Sequence, residues 1–218
     1  KNDLNISRTY PVTSGFPFPK GVFYGNARLL DENYNEIPAD FTVLSTWKDG
    51  SVKWLLVDFI ANVAPNEEKV YYIQYGVNQS NYPPMSISEN NKSILVNTGK
   101  IKFILNKTCF HFFDKVWINI NNTWKEIVKG GDIIVTNESG VKFYGRNITD
   151  IKVEKRGKVR SVIRIRGYHV NGSNSCLNFT MRIYVYANQS FLRVFYTEEN
   201  RLPVLNNGAG QPDCLTID

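Results

Sequence analysis

The chain has 218 residues, with 26 Lys and Arg against 20 Asp and Glu for a net charge of +6, and it is 42% apolar and 13% aromatic. That length supports one sizeable core or two small ones. A charged fraction of only 21% with this many aromatics excludes a disordered chain.

Helical periodicity is nearly absent, and the apolar residues either alternate or form short β-branched and aromatic runs between turn residues. In chain order this predicts strands over 27–30, 41–47, 52–60, 69–75, 93–96, 100–105, 115–120, 124–128, 133–136, 141–144, 151–155, 159–168, 176–187 and 191–197. Turn signals join several of them: Lys48-Asp49-Gly50, Asn121-Asn122-Thr123, Asn137-Glu138-Ser139-Gly140 and Arg156-Gly157. The fold class expected is all-β, a barrel or sandwich. Residues 1–202 read as a single module, with a Pro- and Ser-rich connection or subdomain boundary near 78–92 around Tyr82-Pro83-Pro84. The segment 203–218, with Asn206-Asn207-Gly208 and little apolar content, is expected to be an extended tail.

Asparagine dominates the composition, with 25 Asn beside 13 Ser and 12 Thr. Ten of them open an N-x-Ser/Thr triplet without Pro: Asn5, Asn78, Asn91, Asn106, Asn121, Asn137, Asn147, Asn171, Asn178 and Asn188. Random placement of the same residues gives about three such triplets, so mere Asn abundance does not produce ten. The excess predicts a secreted, heavily N-glycosylated protein. The first ten residues hold no apolar signal-peptide core, so a targeting segment is expected to have been removed already. No window is long and apolar enough for a membrane span; the best, 54–63, holds Asp58 and Asn62. Cys109, Cys176 and Cys214 form no CxxC pair, and in an oxidising compartment they allow one disulfide of unassigned pairing and leave one thiol over.

Charge is unevenly placed. Between 31 and 68 eight acids face Lys48 and Lys53, a balance of −6, and between 142 and 193 eleven bases face Asp150 and Glu154, a balance of +9. Arg160, Arg164 and Arg166 share one face of a predicted strand by period two. One reading is a site for an acidic polymer, with uronate-rich polysaccharide preferred to nucleic acid in a secreted chain. Another is docking of the basic face of one copy on the acidic face of the next, a heterologous assembly. A third is a solvated sheet face whose cations blunt an edge.

Catalytic signals are weak. His111 lies in an aromatic run and His169 at the end of the arginine-rich strand, and there is no GxSxG, HExxH or Gly-rich phosphate loop. No catalytic residue, metal site or cofactor is therefore expected. Trp47, Trp54, Trp117 and Trp124 are candidates for a sugar-stacking platform, with Trp47 and Trp54 expected to face each other across a hairpin; core packing is the competing role for each.

The segments PVTSGFPFPKG at 11–21, ARLLDENYNEIPADFTVLSTWKDGSVKWLLVDF at 27–59 and YIQYG at 72–76 resemble the N-terminal RIFT-type barrel domain of the exo-rhamnogalacturonan-lyase-like family. NTGKIKF at 97–103, FDKVWIN at 113–119, VEKRGKVRSVIRIRGYH at 153–169 and FTMRIYVYANQSFLRVFYT at 179–197 are similar to it as well. The resemblance implies an all-β barrel module. Members of that family carry larger domains downstream, so the resemblance implies no catalytic residue in this chain. Together the readings predict a secreted, glycosylated, non-catalytic β module with a structural or self-assembling role, as in an extracellular filament or surface coat. The alternative is an accessory or carbohydrate-binding domain of a polysaccharide-degrading protein.

Overall fold

The computed structural model describes residues 1–200, so the expected tail at 203–218 lies outside them. Sixteen strands and no helix occur among the described residues, the all-β class that the alternation dictates. The chain forms two compact units. Lys1–Met85 makes the first together with Gly157–Arg160, and Ser86–Arg156 makes the second together with the chain from Ser161.

The first unit contains β1 (Arg8–Pro17), β2 (Ala27–Leu30), β3 (Glu36–Ile37), β4 (Ala39–Thr46), β5 (Val52–Val63) and β6 (Tyr72–Tyr75). They build two antiparallel three-stranded sheets, ordered β1-β5-β4 and β3-β2-β6. Val52, Leu55, Val57, Phe59 and Ala61 of β5 are buried with Phe23, Leu29 and Ala39 in one cluster. Each fully buried large side chain of this kind contributes about 1.5–3 kcal/mol. Strand β1 was not among the predicted strands, because Pro11, Gly15 and Pro17 read as breakers. It lies at a sheet edge, where a missing N–H is tolerated, and pairs with β5 from Arg8 opposite Val63 to Pro17 opposite Trp54.

A buried carboxylate closes this unit. Asp40, 9% exposed, accepts backbone N–H groups from Lys158 at 2.7 Å, Val159 at 3.0 Å and Arg160 at 2.9 Å. Such charge-assisted bonds replace the water a buried carboxylate loses. Next to it Asp58, 1% exposed, accepts the Thr13 hydroxyl at 2.5 Å and forms an ion pair with Arg160, whose Nε lies 3.0 Å away. Gly157 makes the approach feasible. A Cβ there would stand 2.2 Å from both the Arg160 carbonyl oxygen and Asp40 Oδ2.

The second unit contains β7 (Ser86–Glu89), β8 (Ser93–Asn97), β9 (Ile101–Asn106), β10 (Lys115–Ile120), β11 (Thr123–Lys129), β12 (Ile134–Thr136), β13 (Lys142–Lys155), β14 (Arg160–Asn171), β15 (Asn174–Tyr186) and β16 (Leu192–Glu199). The first residue of β14 is counted with the first unit. Two five-stranded sheets result, ordered β11-β10-β9-β8-β7 and β12-β13-β14-β15-β16. Ile94, Val96, Phe103, Leu105, Ile163, Ile165, Phe179, Met181, Ile183 and Val185 are each 2% exposed or less, alternating along their strands with half-exposed residues. The sequence predicts two short strands where β13 is one long one. Register shifts at Tyr144/Asn147, Ile148/Asp150 and Val153/Lys155 break its alternation without ending its pairing. Asn121 and Asn122 have φ of 49° and 61°, the left-handed pair a two-residue hairpin turn requires.

Two substitutions test the Asp40 closure. Gly157→Ala should destabilise the fold by about 3 kcal/mol, because the methyl meets backbone and carboxylate. Asp40→Ala, which leaves buried N–H groups unpaired, should cost about 1–3 kcal/mol per group lost. Thermal unfolding of both variants should show clearly lowered midpoints; an unchanged midpoint for Gly157→Ala would contradict the packing described.

Candidate functional site

All ten predicted glycosylation asparagines fall within the described residues, and none is buried. Asn5, Asn78, Asn91, Asn121, Asn147, Asn171 and Asn188 are exposed, and Asn106, Asn137 and Asn178 are half-buried. At Asn106 the side-chain oxygen accepts the N–H groups of Thr108 and Cys109 at 2.9 and 3.0 Å and the Thr108 hydroxyl at 3.0 Å. At Asn137 it accepts the Val141 N–H at 2.7 Å. In both cases these bonds use the oxygen, while a glycan is carried by the nitrogen. Asn171 differs, since its Nδ2 donates to the Lys142 carbonyl at 2.9 Å. Asn121 and Asn188, with φ of 49° and 56°, also have a conformational reason to be Asn.

The three arginines share a face of β14 as the period-two reading expects, with Ile163 and Ile165 buried on the other. They do not form an open cationic surface. The Arg160 side chain, 14% exposed, is held by Asp58. That of Arg164, 12% exposed, bonds Asp150 at 2.6 Å and Glu154 at 3.0 Å. Glu154 also accepts from Arg182 Nε at 2.8 Å. The Arg182 hydrogen bond, opposed by desolvation and aided by the charges of Arg182 and Arg164, holds the Glu154 carboxyl below the usual range. Arg166 alone of the three is exposed, and it lines a pocket of about 390 Å³ with Tyr168, Asn178, Thr180 and Glu199.

The tryptophans separate into different roles. Trp47 Nε1 donates to the Phe18 carbonyl at 3.0 Å, with Lys53 Nζ 4.7 Å from the ring centroid. Trp54 is paired with Ser45 and packs beside Gly15; the tight turn sets Trp47 against Ser51, so Trp54 does not face Trp47 across the hairpin. Trp117 and Trp124 do come together. They stand on one face of β10 and β11 with Lys102 Nζ 4.8 and 4.7 Å from their two ring centroids. An aromatic groove that the sequence reading missed lies in the first unit. Tyr34 and Tyr72 stack at 5.3 Å and 12°, and with Arg28 and Gln74 they line a pocket of about 540 Å³. Its only signal is a tyrosine in a turn, with φ 62°, held where Asp31 accepts the N–H groups of Asn33 and Asn35.

His169 is fully buried and structural. Its Nδ1 donates to the Leu177 carbonyl at 2.9 Å and its Nε2 accepts the Tyr196 hydroxyl at 2.8 Å. Burial, then the Glu198 charge, push that hydroxyl well above the usual phenol range. His111 has a different setting, with Nδ1 3.1 Å from Asp132 Oδ1 and Nε2 3.9 Å from Cys109 Sγ. Cys109 is a free, exposed thiol and Cys176 is disulfide-bonded; Cys214 lies outside the described residues. Among the described residues no group of three or more His, Cys, Asp or Glu is arranged to hold a metal ion, and no helix is long and apolar enough to cross a membrane.

Comparison with known proteins matches these units to two family descriptions. Residues 4–72 match the PcRGLX-like N-terminal RIFT barrel domain, and residues 85–198 match the PcRGLX-like protein central beta sandwich domain. The uncharacterized protein YetA of Bacillus subtilis (strain 168) is 27% identical over 204 residues, covering 87% of this chain. The chain spans 23% of that relative's length. A solved structure described as a protein in glycosyl hydrolase family 38, from Enterococcus faecalis, superposes with a TM-score of 0.46 at 10% identity, over 92% of this chain and 30% of that one. The two domain matches in succession place this chain in the PcRGLX-like family, of which it comprises the RIFT barrel and the central β sandwich.

Proposed function

We propose that the chain is an extracellular, N-glycosylated, non-catalytic β module with a structural role, self-associating in a surface coat or filament. The observation that carries this reading is the number of sequons, ten where random placement gives about three, with none of the ten asparagines buried. With none of them buried, each is accessible to a glycosylating enzyme, as an N-glycan requires. Free, exposed Cys109 is a further feature consistent with contact between chains. Intact mass of the native protein before and after enzymatic removal of N-glycans should fall by several core glycans. An unchanged mass would end the glycoprotein reading. Light scattering at high concentration should give a mass above the monomer; a strict monomer would remove the assembly role.

A second reading, an accessory domain that contacts acidic polysaccharide, is favoured by Lys102 between Trp117 and Trp124, a cation beside two stacking surfaces. Here Trp124→Ala should weaken salt-sensitive binding to a polygalacturonate about fivefold, on the scale of one aromatic contact. Arg164→Ala should act on stability instead. The Glu154 carboxyl is held below the ordinary glutamate value of 4.5 in the folded state, so its contribution is present above that pH and is lost as pH falls through the depressed folded value. The melting temperature should therefore fall on acidification below about pH 4.5, less steeply in Arg182→Ala, which removes the main cause of the shift. Equal acid slopes in the two proteins would show that this network does not contribute.

A further inference from the structure

Strand β9 ends at Asn106, whose side-chain oxygen takes the N–H groups of Thr108 and Cys109 and so fixes the cysteine at the start of the following turn. The Cys109 thiol is exposed, and its Sγ lies 3.9 Å from His111 Nε2. On the far side of the ring, Nδ1 is 3.1 Å from Asp132 Oδ1. Asp132 is itself clamped by Arg146, whose Nε reaches Oδ1 at 2.9 Å and whose Nη2 bonds Oδ2. That hydrogen bond is the chief reason the Asp132 carboxyl stays below the usual range. An ionised carboxylate at Nδ1 fixes the tautomer, with the proton on Nδ1 and the lone pair on Nε2 directed at the thiol. The Arg146 guanidinium is also within electrostatic reach of Cys109. A nucleophile beside a base, with the base oriented by a third group, is the arrangement by which thiols are activated.

We infer that Cys109, His111 and Asp132 form a thiol–disulfide exchange site whose co-reactant is an accessible disulfide. The Cys109 proton passes to His111 Nε2. The Sγ electron pair attacks one sulfur of the disulfide, a new S–S bond forms to Cys109, and the other sulfur leaves as a thiolate that takes up the proton. One S–S bond replaces another, with no external oxidant. The site goes beyond the structural role proposed above and does not depend on it.

The test uses the native chain and 4,4′-dithiodipyridine, an uncharged disulfide whose thiopyridone product is followed by absorbance. At pH 7 an ordinary thiol is only a few per cent ionised, so local proton transfer should make folded Cys109 react about tenfold faster than the same cysteine in the urea-unfolded chain. Steric shielding predicts the opposite order. His111→Gln should remove most of that advantage, Asp132→Asn should reduce it about threefold, and Cys109→Ser should abolish reaction. Glutathione disulfide and a disulfide-linked peptide, run in parallel, separate a small-molecule co-reactant from a polypeptide one. The enzymatically deglycosylated chain should show the same ratio of folded to unfolded rate, which keeps this outcome distinct from that of the glycan mass measurement. A folded rate equal to or below the unfolded one, or one unaffected by His111→Gln, would overturn the assignment.

Discussion

The Asp40 carboxylate governs the organisation of the first unit. A carboxylate that is 9% exposed has to find donors, and it finds three successive backbone N–H groups at 158–160, far away in sequence. The requirement then spreads outward. Gly157 has to lack a side chain, Arg160 is drawn beside Asp58, and Asp58 is shared with Thr13 of β1. Edge strand, central strand and late segment are joined through two buried acids.

This arrangement changes the meaning of the charge pattern. The acidic stretch 31–68 and the basic stretch 142–193 look like complementary docking surfaces, yet Asp58 of the first is paired with Arg160 of the second, and Asp40 of the first is bound by backbone N–H groups at 158–160. Part of the opposition is consumed inside one chain. Much of the remaining positive charge is held by acids or aromatic faces: Arg164 and Arg182 by Glu154, Lys53 over Trp47, Lys102 between two indoles, and Arg146 over Tyr144. The local balance of +9 over 142–193 therefore overstates its open cationic surface, since Asp132, Glu89 and Asp58 from outside that stretch pair with Arg146, Arg156 and Arg160.

Strands whose residues obey a strict period of two were legible in the sequence. In β14 from Ile163 to Val170 and in β15 from Leu177 to Val185 the buried and accessible positions alternate as their composition dictates. Legibility failed where backbone features override pattern: β1 with its prolines, β13 with its register shifts, and the turn after β4, which sets Trp47 against Ser51 and leaves Trp54 opposite Ser45. The sequons could be counted, and the fold adds only that they are accessible. The Cys109 arrangement was hidden for another reason. Its histidine is two residues away, but the carboxylate that orients the ring is 21 residues beyond that histidine, on the far side of the β10–β11 hairpin. Local patterns carry no trace of such a contact.

Completion of the first unit by Gly157–Arg160 also sets an order of events during synthesis. Its residues through Met85 leave the ribosome well before the segment that satisfies Asp40, and all of 86–156 has to follow. At typical elongation rates of about 5–20 residues per second, that wait is roughly 4–14 s. During that interval the emerging barrel holds an unmatched carboxylate, and the intervening chain has to avoid drawing it into other pairings. The boundary between the two matched family domains therefore separates their sequences but not their folding, and domains exchanged at that point would have to keep Asp40 and the 157–160 turn together.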